Sequence, residues 1–192
     1  MPNRYRMKDM VVRLLKQNLP VYYFYHNDQH TRYVEEKAMQ IGRFEKCTDY
    51  ELYLLSAAAL WHDAGLMDKY IGHEEQSCTL AKKYLPDFGF SIEEIKQVCG
   101  MIMATKVPQS PHNKLEQILA DADLEYLGTS QAVAVSDLLF RELQYLDPFL
   151  TKREWIERQI PFLQQHHYFT NYCKENRQRE KNHYLKYLQS QL

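Results

Sequence analysis

The chain has 192 residues, 45% of them hydrophobic, with 24 Lys and Arg set against 25 Asp and Glu. That length suits one domain with a substantial core, and the apolar content excludes a disordered chain. A net charge of −1 argues against a nucleic-acid coat protein, and only six glycines leave few sites for tight hairpins, which favours helices.

In chain order, Met7, Met10, Val11, Leu14 and Leu15 recur at helical spacing, and Pro20 ends that first helix. Asn27 or Asp28 caps a second helix reaching about 44, with Val34, Ala38 and Ile41 on one stripe. Thr48 or Asp49 caps a third over 51–63, stopped by Gly65. A loop at Gly72 leads to a fourth that ends before Pro86. Ser91 with Glu94 forms a capping-box pattern for a fifth, to about 104. Pro108, Ser110 and Pro111 make the clearest loop. Helices are then expected over about 113–127, 130–146, 152–166 and 171–188, with Pro148 as a break. The last two are rich in charge and Gln and are expected on the outside. No alternating run predicts a strand, so the fold class is all-α, as a single domain over 1–192.

The four cysteines, Cys47, Cys78, Cys99 and Cys173, contain no C-x-x-C pair, which predicts reduced thiols inside a cell. The N-terminal run is polar and lacks a signal-peptide core, and the most apolar stretch, 52–61, is too short to span a bilayer. A cytoplasmic location is therefore expected, with neither membrane nor nucleic-acid polymer as partner.

Four elements carry chemistry. They are Tyr25-His26-Asn27-Asp28-Gln29-His30, Trp61-His62-Asp63, Gly72-His73-Glu74-Glu75 and Leu119-Ala120-Asp121-Ala122-Asp123-Leu124. By itself, His62-Asp63 reads as a capping aspartate beside a core histidine, since buried polar groups must be paired or bound. His26 and His30, four apart, could share one helix face as zinc-binding histidines do. Asp121 and Asp123 add carboxylates after an apolar stretch. Imidazole with carboxylate suits Mn, Fe, Zn, Co or Ni, so the separated elements together point to a divalent transition-metal site. The aromatic run Tyr22-Tyr23-Phe24-Tyr25 reads as core.

The order His, then His-Asp, then Asp resembles the HD-domain superfamily of metal-dependent phosphohydrolases. Tyr25-His26-Asn27 with His30 and Val34 is similar to the Y-H-N-x-x-H-x-x-x-V element shared by cyclic-nucleotide phosphodiesterases and many bacterial HD proteins. The stretch from Leu119 to Gly128 resembles the closing D-A-D-L-x-x-L-G element of a bacterial group of predicted HD phosphohydrolases, as do Glu74, Glu75 and Ser77 and the Ala104-Thr105-Lys106 run. This likeness spans about 21–128, which implies an HD core there and a helical extension over about 129–192. A weaker likeness continues through Glu154-Trp155, Gln159, Phe162-Leu163 and His167-Tyr168.

The resemblance implies that His30, His62 and Asp63 bind the metal. The fourth ligand is one of the pair Asp121/Asp123. Asp121 is preferred, on the apolar-Leu-Ala-Asp run, which leaves Asp123 to orient a ligand, water or substrate. His26 occupies the general-acid position, a role that its ordinary pKa suits. Asp63 or its aspartate partner would help align the attacking water, and Glu74 would position a water or serve a second metal such as Mg, with His73 beside it. Lys106 is a candidate phosphate contact. His166, His167, Arg177 and Lys181 read as packing and surface residues. The implied activity is hydrolysis of a phosphoester or phosphoanhydride, in a nucleotide or related small phosphorylated metabolite. The alternatives are a cyclic-nucleotide or cyclic-dinucleotide phosphodiesterase and a non-catalytic metal- and nucleotide-sensing HD module. Redox chemistry at a di-iron site would need more histidine ligands than these elements supply. Oligomeric state is left open.

Overall fold

The computed structural model describes residues 2–192, with side chains from Arg4 onward. Ten α-helices follow one another: α1 (Pro2–Asn18), α2 (Asp28–Phe44), α3 (Asp49–Trp61), α4 (His73–Tyr84), α5 (Ile92–Met103), α6 (Lys114–Asp123), α7 (Ala132–Leu146), α8 (Lys152–Gln165), α9 (Asn171–Asn176) and α10 (Gln178–Gln189). Three 3₁₀ turns, Ala64–Met67, Leu85–Phe88 and Glu125–Gly128, separate some of them, and there is no strand among the described residues.

The starts of these helices are written in their caps. Thr48 with Glu51, Ser91 with Glu94, and Thr151 with Glu154 each form a reciprocal capping box. The Asn27 side chain accepts from the Gln29 and His30 backbone N–H groups, so the cap of α2 also sets where His30 begins.

The centre is α3. Leu54, Leu55, Ala57, Ala58, Ala59, Leu60 and Trp61 are wholly buried, so this helix is apolar all round and must be enclosed. It packs against α1, α2, α4, α5 and α6. Burying each of its leucines contributes about 1.5–3 kcal/mol relative to exposure. A second cluster joins Leu124 and Leu127 to Ile156 and Leu163 of α8 and to Tyr184 and Leu188 of α10. No helix among the described residues is long and apolar enough to cross a membrane.

The structure departs from the expected elements in three places. First, α3 ends at Trp61, leaving His62 and Asp63 just beyond it. Second, the helix expected over 113–127 stops at Asp123 and tightens into a 3₁₀ turn. Third, the expected last helix breaks at Arg177, whose guanidinium turns onto the buried carboxylate of Glu125. The C-terminal segments are also less peripheral than their charge suggests. Tyr168, Tyr172 and Cys173 enter the main core, and Lys181 is 3% exposed.

Two groups of contacts tie the site-bearing segments to this core. Gly65 donates its N–H to Ser77 Oγ at 2.8 Å, and a Cβ there would lie 2.0 Å from the His73 carbonyl oxygen. That close approach lets the turn after α3 lie against the start of α4. Glu35 of α2 is 1% exposed and accepts from Arg4 at 2.9 Å, Lys8 at 2.5 Å and Ser56 at 2.7 Å. Burial pushes its pKa up, but the Lys8, Ser56 and Arg4 contacts outweigh burial and hold it below the usual carboxylate range.

Gly65→Ala is expected to destabilise by about 1–3 kcal/mol through overpacking, measured by urea denaturation. Because folding lowers the Glu35 pKa, its contribution is complete above the unfolded-state value and lost as pH falls below about 4. Glu35→Gln is therefore expected to lower stability at neutral pH and to flatten part of the acid loss in a pH series of the same measurement.

Candidate functional site

The end of α3 delivers two polar side chains into an apolar interior. His62 is fully buried and Asp63 is 6% exposed. The His62 Nδ1–H donates to the Ala59 carbonyl at 2.8 Å, which places the Nε2 lone pair on the opposite side of the ring. That nitrogen lies 3.4 Å from His30 Nε2, 3.1 Å from Asp63 Oδ2 and 3.6 Å from Asp123 Oδ1. His30 Nε2 is in turn 3.4 Å from Asp63 Oδ2 and 3.1 Å from Asp123 Oδ1. Donors of His30, His62 and Asp123, from α2, the end of α3 and the end of α6, thus form one cluster, and Asp63 Oδ2 lies against both histidines. Ligand atoms held about 2.0–2.2 Å from one ion stand about 3.0–3.6 Å from each other, the spacing seen here.

Acceptors facing acceptors in a dry setting need a positive charge between them. Asp63 Oδ2 is buried with no hydrogen-bond partner among the described residues, a condition that calls for a positive charge beside it. In the chain alone a second proton on His62 meets that need. Burial opposes it, but the charge of Asp63 and the contact with Asp123 prevail, so the His62 pKa stands well above its ordinary value. Burial likewise pushes both carboxyls up. His62 draws Asp63 well below the usual range, and His30 and His62 draw Asp123 down to about 2. The donor chemistry and the unpaired oxygen both fit a divalent metal ion.

The preference for Asp121 over Asp123 is corrected by this geometry. Residues two apart on a helix point to opposite sides. Asp121, fully buried, turns away and accepts from Phe169 N at 2.9 Å, Thr170 N at 2.8 Å and Thr170 Oγ1 at 2.6 Å. Its carboxylate fastens the segment before α9, and Asp123 joins the histidines.

His26 precedes the α2 cap and lies beside this cluster. Its Nδ1 meets Glu142 Oε1 at 2.5 Å, while Glu142 Oε2 accepts from the Tyr25 and His26 backbone N–H groups, both at 3.0 Å. Glu142, on α7, is fully buried. Burial lowers the His26 pKa, and the Glu142 hydrogen bond and the charge of Asp63 raise it by more, for a net rise. Glu142 was missed in the sequence. Its one local signal is an acid on the inward stripe Val135, Leu139, Glu142.

His73 Nδ1 donates to the Tyr70 carbonyl at 2.9 Å, and its Nε2 lies 3.4 Å from Asp63 Oδ1. Burial lowers its pKa, but Asp63 more than compensates and lifts it to about 9. Glu74 is 8% exposed and lies 3.7 Å from His73. These groups open onto a cleft of about 380 Å³, lined on one side by His26, Asp63, His73, Glu74 and Asp123 and on the other by Trp155, Arg158, Gln159 and Phe162 of α8. Lys106 is not part of this lining. Its ammonium pairs with Glu75 at the surface, while its neighbours Thr105 and Val107 reach the cleft. Of the C-terminal residues read as packing, Arg177 pairs with Glu125, Lys181 donates to the His166 carbonyl, and none of the three with His167 lines the cleft.

No protein-family model matches the chain, and no curated protein matches it. Among solved structures it is similar to a predicted HD superfamily hydrolase from an uncultured Thermotogales bacterium, at 25% identity and a TM-score of 0.55, over 82% of this chain and 89% of that one. The likeness is thus to a protein described as a member of the HD superfamily. Bacillus subtilis YpgQ in complex with ADP shares the fold, at 17% identity and a TM-score of 0.68, over 98% of this chain and 93% of that one. The Thermotogales likeness and the donor cluster together support a metal-dependent hydrolase.

Glu142→Gln keeps an acceptor for the two backbone N–H groups and removes the charge that faces His26. The His26 pKa, followed by NMR of labelled imidazoles, is expected to fall in that variant, and an unchanged value would show that Glu142 does not set it.

Proposed function

We propose that this chain is a metal-dependent phosphohydrolase acting on a phosphoester or phosphoanhydride of a small metabolite, with a nucleotide as the substrate class that fits best. The observation that carries this reading is the buried, unpaired Asp63 oxygen facing the Nε2 atoms of two histidines at the floor of the cleft. His30, His62, Asp63 and Asp123 would hold the ion, and Mn, Fe, Zn, Co or Ni suits that donor set. Such an ion supplies Lewis acidity at a phosphoryl oxygen and makes water a usable nucleophile at neutral pH.

The remaining steps fall to side chains that line the cleft. His26, its ring fixed by Glu142, protonates the leaving oxygen. Its raised pKa keeps the acid form populated near neutrality. His73 and Glu74 flank Asp63 on the cleft side, where Glu74 positions water or joins Asp63 and His73 in holding a second ion such as Mg. Arg158 lines the cleft and makes no ion pair among the described residues, so it is the free cation for a phosphate, the role expected of Lys106. A cleft of about 380 Å³ suits a small molecule rather than a polymer. The ADP bound by YpgQ supports the nucleotide class.

Two measurements test this reading. In elemental analysis, Asp123→Asn is expected to lose bound metal and to lower turnover by more than the roughly 10–100-fold typical of groups one shell out. Asp121→Asn is expected to keep its metal and to lose stability instead. In a panel of nucleoside mono-, di- and triphosphates, cyclic nucleotides and sugar phosphates, His26→Ala is expected to slow alkoxide release strongly at unchanged metal content. No turnover of any member with Mn, Fe, Zn, Co or Ni would leave the sensing module as the better reading.

A further inference from the structure

The α8 face of the cleft is built as carefully as the metal face. Trp155, Arg158, Gln159 and Phe162 follow the spacing i, i+3, i+4 and i+7, which puts all four on one side of the helix. Gln159 is 7% exposed and its amide is held from behind. Its Oε1 accepts from Ser136 Oγ at 2.6 Å and from Tyr184 OH at 2.7 Å. Trp155 Nε1–H donates to the same Ser136 Oγ at 3.2 Å, which anchors the indole. Ser136 and Tyr184 line a groove between α7, α8 and α10 and do not line the cleft, whereas Gln159 lines both. The carbonyl end of the amide is therefore turned to the groove side. Its Nε2 has no hydrogen-bond partner among the described residues and is not sealed from solvent.

A donor fixed this firmly, set beside an indole face and opposite a metal centre, discriminates among substrates. We propose that Gln159 and Trp155 recognise the organic, non-reacting part of the substrate, Gln159 by donating from Nε2 to an acceptor on that part and Trp155 by packing against its face. The proposal rests on the phosphohydrolase reading for which end of the cleft the phosphoryl group occupies. The ligand class is then a phosphate ester or anhydride of a planar group that bears a hydrogen-bond acceptor. A site built to hydrogen-bond an acceptor discriminates against a ligand lacking it more strongly than a purely apolar wall does.

The test is calorimetric binding to the manganese-loaded full chain of two uncleaved probes, α,β-methylene-ADP and methylenediphosphonate. The wild type is expected to bind the nucleoside probe at least tenfold tighter than the diphosphonate. Gln159→Leu is expected to bring that ratio close to one. Gln159→Glu keeps an acceptor for Ser136 and Tyr184 but lacks the donor, and is expected to do the same if the leucine variant folds poorly. Trp61 is fully buried and stacked on Tyr84, so the fluorescence change on binding should vanish in Trp155→Phe. Equal binding of the two probes by the wild type, binding of neither, or an undiminished ratio in the folded Gln159 variants overturns the proposal. Because no turnover is read, a chain that hydrolyses nothing yet keeps the ratio would sink the hydrolase reading and leave this one standing.

Discussion

Two imidazoles and the carboxylate of Asp123 cluster at the inner end of an apolar helix with Asp63 against both imidazoles, and much of the surrounding architecture keeps them there. Leaving such groups dry and unmatched costs several kcal/mol each. The chain meets that cost with a fixed His62 tautomer, a cap that places His30, and a single helix end that supplies Asp123. The unpaired oxygen of Asp63 is the part that the protein leaves for something else to match. An ion at this point is the proposal that matches the donor set.

The layers around the cluster are joined by buried acids, each linking segments distant in sequence. Glu35 binds α1 to α2 and α3. Asp121 binds α6 to the segment before α9. Glu125 takes Tyr33 of α2 and Arg177 at the break before α10. Glu142 takes the backbone and ring of the segment that carries His26. Removing one partner from such a buried contact typically costs about 3–5 kcal/mol. Asp121, Glu125 and Glu142 tie C-terminal segments to the elements that carry the donor cluster, and α8 forms the second wall of the cleft.

What the sequence made legible was local. The capping box at Ser91, the cap at Thr48 and the stripe of α2 are short-range patterns, and the helices start where those patterns put them. His30, His62 and Asp63 stood out as polar groups at apolar helix ends. The choice between Asp121 and Asp123 was not local, because both end the same apolar run and only the position of Thr170 and His30 around α6 separates them. Glu142 and Gln159 carry no motif. Each acts through a partner more than twenty residues away, so its role exists only once the chain is folded. Lys106 had the right charge in the right stretch, yet Glu75 takes its ammonium at the surface.

The central claim is that one ion sits among His30, His62, Asp63 and Asp123. Anomalous diffraction at the manganese edge, from a crystal of the manganese-loaded chain, tests it most directly. The account predicts a peak within about 2.0–2.3 Å of His30 Nε2, His62 Nε2 and carboxylate oxygens of Asp63 and Asp123. A peak ligated by Asp121, or no peak between the two histidines, would contradict it.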